Sequence, residues 1–107
     1  MSSEVAAREG RRSPRIIARI PLDIQPVQES QSATTAVINL HGALIIAPAA
    51  WPAGTLLHMR NQKTNRSIPA RVVWTGPDDG TGYFKLGVEF EGPESGFWGP
   101  DYSVNKV

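Results

Sequence analysis

The chain has 107 residues, 40% of them hydrophobic and 20% charged, with a formal net charge of +1, which describes one globular domain with a modest core and excludes wholesale disorder. It has no cysteine, which excludes a disulfide framework, a thiolate metal site and a cysteine nucleophile, and its two histidines, His41 and His58, are too few for a self-contained histidine metal site. No apolar run nears the ~20 residues a membrane helix needs and no apolar stretch follows the N-terminus, so a soluble cytoplasmic protein without membrane insertion is expected.

Ten glycines and nine prolines are scattered along the whole chain and leave no room for long helices, so short strands with frequent turns fit better. Residues 1–10 are small and polar, without alternation, and read as a flexible N-terminal tail. Residues 11–15, RRSPR, read as a basic loop, because Pro14 holds Ser13 away from helical backbone. From Ile16 the pattern switches to a period of two. Ile16, Ala18, Ile20, Leu22 and Ile24 share one face against Arg19 and Asp23, and Pro21 marks an edge or a bulge.

A polar turn is expected over 29–33, then a β-branched strand over 34–40 and, after the His41-Gly42 connection, a short apolar strand over 43–47. A Pro/Gly loop separates that strand from a fourth over 55–61. The fifth strand, 66–75, sets Ile68, Ala70, Val72 and Trp74 on one face, and the sixth, 83–90, sets Phe84, Leu86, Val88 and Phe90 inward. Phe97, Trp98 and Tyr102 follow in a segment rich in glycine and proline, able to fold back without forming a regular element.

Six short strands with no helix to cover an open sheet predict an all-β fold: a small six-stranded antiparallel β-barrel over residues 11–107, carrying a flexible basic N-terminal arm. The expected core is Ile20, Leu22, Ile38, Ile45, Ile46, Leu57, Val72, Trp74, Leu86, Val88 and Phe90.

Charge is segregated. Residues 1–19 carry five arginines against two glutamates, whereas the remainder carries six basic and eight acidic residues. Arg11, Arg12 and Arg15 crowd the loop ahead of the first strand, and a guanidinium binds phosphate bidentately and stacks on bases. Such an arm can close over a small polyphosphate or simply remain a solvated basic tail. The Asn39-Leu40-His41-Gly42 turn can present hydrogen-bonding groups to the edge of a base, or serve only as a turn. The adjacent carboxylates Asp78 and Asp79 sit in a glycine-flanked turn without partners nearby, and His58 lies alone on a polar strand face, so both read as surface features. No phosphate loop, zinc-hydrolase motif or nucleophile elbow is present, and no catalytic residue or metal site is assigned; the chain is not expected to be an enzyme.

Taken in order, the Arg11-Arg12-Ser13-Pro14-Arg15 loop, Val37-Ile38-Asn39-Leu40, Ala70-Arg71-Val72-Val73-Trp74 and Leu86-Gly87-Val88-Glu89-Phe90 make the chain resemble the PilZ domain family over about residues 11–90. The resemblance implies a six-stranded barrel that binds the bacterial second messenger cyclic diguanylate (cyclic-di-GMP) and signals to a protein partner. It makes Arg11 and Arg15 the two arginines of the family's R-x-x-x-R loop, and starts the second family motif, [DN]-x-S-x-x-G, at Asn39. Here His41 stands at the serine position and Leu44 at the glycine position. The nucleotide-binding residues expected are Arg11, Arg12, Arg15, Asn39 and His41, with no cofactor. The alternative is a PilZ-like interaction module that does not take the nucleotide. A nucleic-acid-binding barrel is disfavoured by the acidic balance beyond residue 19 and by aromatics assigned to the core.

Overall fold

Short segments in which buried apolar residues alternate with more exposed ones fold into seven strands: β1 (Ile16–Ile17), β2 (Pro21–Gln25), β3 (Gln31–Asn39), β4 (Gly42–Ala47), β5 (Leu56–Asn61), β6 (Ser67–Thr75) and β7 (Phe84–Phe90). They come from a computed structural model that describes residues 15–26, 30–94, 96–100 and 102. Every regular element among these residues is a strand. The tail expected over 1–10, and Arg11 and Arg12 of the basic loop, lie outside the described residues.

All neighbours pair antiparallel in the order β3-β2-β5-β6-β7-β4, and β4 returns to pair with β3. The sheet therefore closes into the expected six-stranded barrel, and closure removes the edges that an open sheet would leave unpaired. The short β1 is an addition, paired with the last part of β3 through Ile16↔Ile38 and Ile17↔Val37.

The single first strand read from the sequence is broken at Ala18–Ile20. The inward alternation survives the break, with Ala18, Ile20, Leu22 and Ile24 all buried. Thr35, fully buried on β3, bridges the gap: its hydroxyl accepts the Ile20 N–H at 2.9 Å and donates to the Ala18 carbonyl. The side chain thus does for two backbone groups what a ladder would otherwise do. The polar turn expected over 29–33 is also corrected. β3 starts at Gln31, because Ser32 and Ala33 pair with Asp23 and Leu22 of β2, and tertiary pairing overrides weak local propensity.

Two residues expected in the core stand outside it. Trp74 is 49% exposed, because a bulge between Val72 and Trp74 inserts an extra residue and turns the indole to the outer face. Ile46 is half-buried on the outer face of β4, where Ala43, Ile45 and Ala47 point inward. The other nine expected core residues are buried, joined by Ile24, Ala47, Met59, Phe97 and Trp98 among others.

The last two close the barrel at the end where β3, β5 and β7 finish. Phe97 and Trp98 pack against Phe90 and each other, with ring centroids 4.8–5.9 Å apart in edge-on and tilted geometries. The buried Asn61 ties this plug down: its Nδ2 donates to the Phe97 carbonyl at 2.8 Å, while its Oδ1 accepts the Lys63 N–H at 2.8 Å. A chain with no regular structure is thereby fixed by two means, aromatic packing and satisfied polar groups.

Candidate functional site: the Asn39 turn and the outer barrel face

The β1–β3 register, continued by one residue, sets Arg15 opposite Asn39. Two segments that are 24 positions apart in sequence, the end of the arginine loop and the hairpin turn, therefore meet at one place on the barrel surface. Arg15 and His41 are both exposed there.

The turn has an unusual construction. Asn39 pairs with Gly42, leaving a two-residue loop of Leu40 and His41. Such loops ordinarily use positive φ at one or both positions to match strand twist. Here neither residue has positive φ; among described non-glycine residues only Asn65 does. Asn39 Oδ1 accepts the His41 N–H at 2.8 Å, closing an Asx turn. The carbonyls of Asn39, Leu40 and His41 accept in succession from Trp98 Nε1 at 2.9 Å, Glu94 N at 3.0 Å and Phe90 N at 2.8 Å. Gly42 is needed because a Cβ there would run into the Val88 carbonyl oxygen on β7. The sequence reading saw the Asn39 and His41 side chains but not these backbone bonds, which come from residues about 50 positions later.

From β1 a cross-strand row runs over the outer face. Ile17 pairs with Val37, Val37 with Leu44, Leu44 with Gly87, and Gly87 with Trp74. Ile17 is 86% exposed and Trp74 about half exposed. Trp74 rests on two glycines: a Cβ built on Gly87 would lie 3.4 Å from Trp74 Cβ, and one built on Gly76 3.0 Å from Trp74 Cη2. A half-exposed indole in this row is a ready stacking surface for a planar ring. Trp74 was missed as a surface residue because strict alternation placed it inward; the bulge gives no sequence signal of its own.

The remaining candidates are turn and surface features. The Asp79 carboxylate accepts the Thr81 hydroxyl and amide, which lower its pKa from the ordinary carboxylate value, and Asp78 Oδ1 accepts the Gly80 amide at 2.9 Å. His58 is exposed on β5. Among the described residues no three His, Asp or Glu side chains gather as a metal site, and no helix is long and apolar enough to cross a membrane.

A closed six-stranded antiparallel barrel with one short added strand is the class of fold this chain adopts. The PilZ domain family model matches residues 9–96, and the chain belongs to that family, whose domains are binding and effector modules. Among solved structures it is similar in fold to the Bacillus subtilis inhibitor of motility MotI/DgrA, with a TM-score of 0.63 and 20% sequence identity. The match covers 80% of this chain and 44% of that one, so the chain spans less than half the length of that protein. No curated protein matches the chain.

Proposed function

We propose that this PilZ domain is a cytoplasmic effector that binds cyclic diguanylate where the arginine loop meets the Asn39 turn and passes the signal to a protein partner. The observation that carries the reading is the β1–β3 register, whose Ile16↔Ile38 pair leaves Arg15 and Asn39 as the next residues along the two chains. Arg11, Arg12 and Arg15 supply charge-assisted, bidentate contacts to the two phosphates. Asn39 and His41 offer hydrogen-bonding groups to a guanine edge, and Trp74 offers a half-exposed indole at the far end of the outer row that starts at Ile17. Ligand held between the arginine loop and the Asn39 turn changes the surface shown to the partner. No chemical step is required of any residue, and no cofactor takes part.

A second reading has its own support. Leu44 occupies the glycine position of the family's second motif, and it lies in an outer row with Ile17, Val37 and Trp74 that has the apolar character of a protein-docking strip. On that reading the domain is an interaction module that takes no nucleotide. Titration calorimetry of the full chain with cyclic diguanylate decides between them. Saturable heat abolished by Arg15→Ala supports the first, and no heat at millimolar ligand overturns it.

A further inference from the structure

We infer that Trp98 is a positioning residue for the nucleotide site, its indole N–H setting the Asn39 carbonyl and thereby the turn that presents Asn39 and His41. The inference rests on the nucleotide-binding reading for its consequence, but on hydrogen-bond geometry for its substance. The Leu40–His41 loop has a backbone that does not match strand twist by itself, so something outside the hairpin must select its conformation. Three bonds to its successive carbonyls do so. Two come from backbone amides, Phe90 N and Glu94 N, which any sequence would supply. The third comes from a side chain, Trp98 Nε1, 2.9 Å from the Asn39 oxygen and 59 positions away in sequence.

That bond acts on the peptide unit next to the Asn39 side chain. Holding the Asn39 carbonyl fixes the orientation of the 39–40 peptide, and the Asx bond from Asn39 Oδ1 to His41 N then fixes the side chain relative to it. Trp98 is itself immobilised: it is 2% exposed, packed edge-on against Phe97 at 4.8 Å and tilted against Phe90 at 5.9 Å. A buried indole N–H must find an acceptor, and here the acceptor it uses is a carbonyl of the candidate site. Phe97 provides the comparison within the same cluster. It is equally buried, but its side chain makes no bond to the turn.

The first test uses the unmodified protein. Hydrogen exchange of the three indole N–H groups, followed by NMR, should find Trp98 slower than both the half-buried Trp51 and the exposed Trp74. Exchange of Trp98 as fast as Trp74 overturns the inference. The second compares Trp98→Phe, which keeps an aromatic ring and removes the donor, with Phe97→Leu. In the ligand-free protein, Trp98→Phe should speed exchange at the His41 and Glu94 amides about five- to tenfold relative to the barrel amides of Thr35 and Val72, the scale of one net hydrogen bond. Phe97→Leu should speed all four together. Equal patterns in the two variants overturn the inference. Calorimetry should then show Trp98→Phe weakening cyclic diguanylate about tenfold, and Phe97→Leu weakening it less although its Tm falls as far. Affinity losses that simply follow Tm in both variants overturn the positioning role. If the wild-type chain takes up no cyclic diguanylate, the nucleotide reading fails, and the two exchange experiments still decide what Trp98 does to the turn.

Discussion

The Thr35 hydroxyl takes the place of a strand partner for Ile20, accepting its amide hydrogen at 2.9 Å inside the barrel wall where β1 and β2 are interrupted. The same hydroxyl donates to the carbonyl of Ala18, so one buried side chain satisfies two backbone groups that would otherwise be stranded. Thr35→Val keeps the shape and removes both bonds. It should lower stability by about 1–3 kcal/mol, the cost of leaving buried backbone groups unpaired, whereas Thr35→Ser should lose less. Urea denaturation of the three proteins measures this, and a Thr35→Val protein as stable as wild type would show that water or backbone shift fills the role.

Gly42 and Gly92 should respond differently to alanine. A Cβ on Gly42 meets the Val88 carbonyl oxygen and the Glu89 Cα, both backbone and unable to swing aside, while one on Gly92 meets nothing within 4 Å. Gly42→Ala should cost about 1–3 kcal/mol or more, since overpacking forces the β4–β7 pair apart. Gly92→Ala should be close to neutral. A differential scanning comparison checks the pair; equal Tm values would contradict the close approach of β4 and β7.

Phe90 and Trp74, which the alternation of their two strands sets inward alike, should separate on truncation. Phe90 is 7% exposed and touches both rings of the aromatic plug, so Phe90→Ala should cost about 3–5 kcal/mol. Trp74→Ala should cost less, because half of the indole is already in water and its removal opens no cavity. If Trp74→Ala is the more damaging change by thermal melting, the bulge after Val72 is misplaced.

Arg15 and Arg19 test the site by position alone. Both are exposed arginines near the start of the fold, but the register sets Arg15 opposite Asn39, whereas Arg19 lies in the break before β2. Arg15→Ala should weaken cyclic diguanylate at least tenfold, in line with about 1.5–3 kcal/mol for a charged hydrogen bond. Arg19→Ala should change it less than threefold at the same salt concentration. Equal losses would mean that only bulk charge matters.

Restoring the family pattern by His41→Ser with Leu44→Gly should strengthen nucleotide binding. Leu44 is half-buried on the outer face between Val37 and Gly87, so glycine there removes bulk from the row that starts at Ile17, and serine at 41 supplies a small hydroxyl. The glycine in a strand should also lower Tm modestly. Titration of wild type and double variant at one salt concentration reads the change. Tighter binding by the wild type would instead mark His41 and Leu44 as adapted to the ligand.

What the sequence by itself determined is local and periodic. Alternation at Leu22 and Ile24, and at Leu86, Val88 and Phe90, defines inward faces, because a side chain on a strand has only two directions to point. The prolines and glycines between strands mark the turns, and six strands without a helix leave closure as the way to bury the inner face. The arginine loop and Asn39 were legible as chemistry, since residue type alone tells what a guanidinium or an amide can bond. The tertiary structure decided everything that depends on a partner distant in the chain. Trp74 faces outward because β6 gains a residue against β7, and a bulge is a property of the pair rather than of either strand. Gln31 to Ala33 became strand because β2 was there to pair with them. Arg15 stands opposite Asn39 because of the β1–β3 register, and the turn between Asn39 and Gly42 holds its form because Phe90, Glu94 and Trp98 return to its carbonyls. Hydrogen bonds across 49 to 59 positions leave no periodic trace, so only the folded chain reveals them.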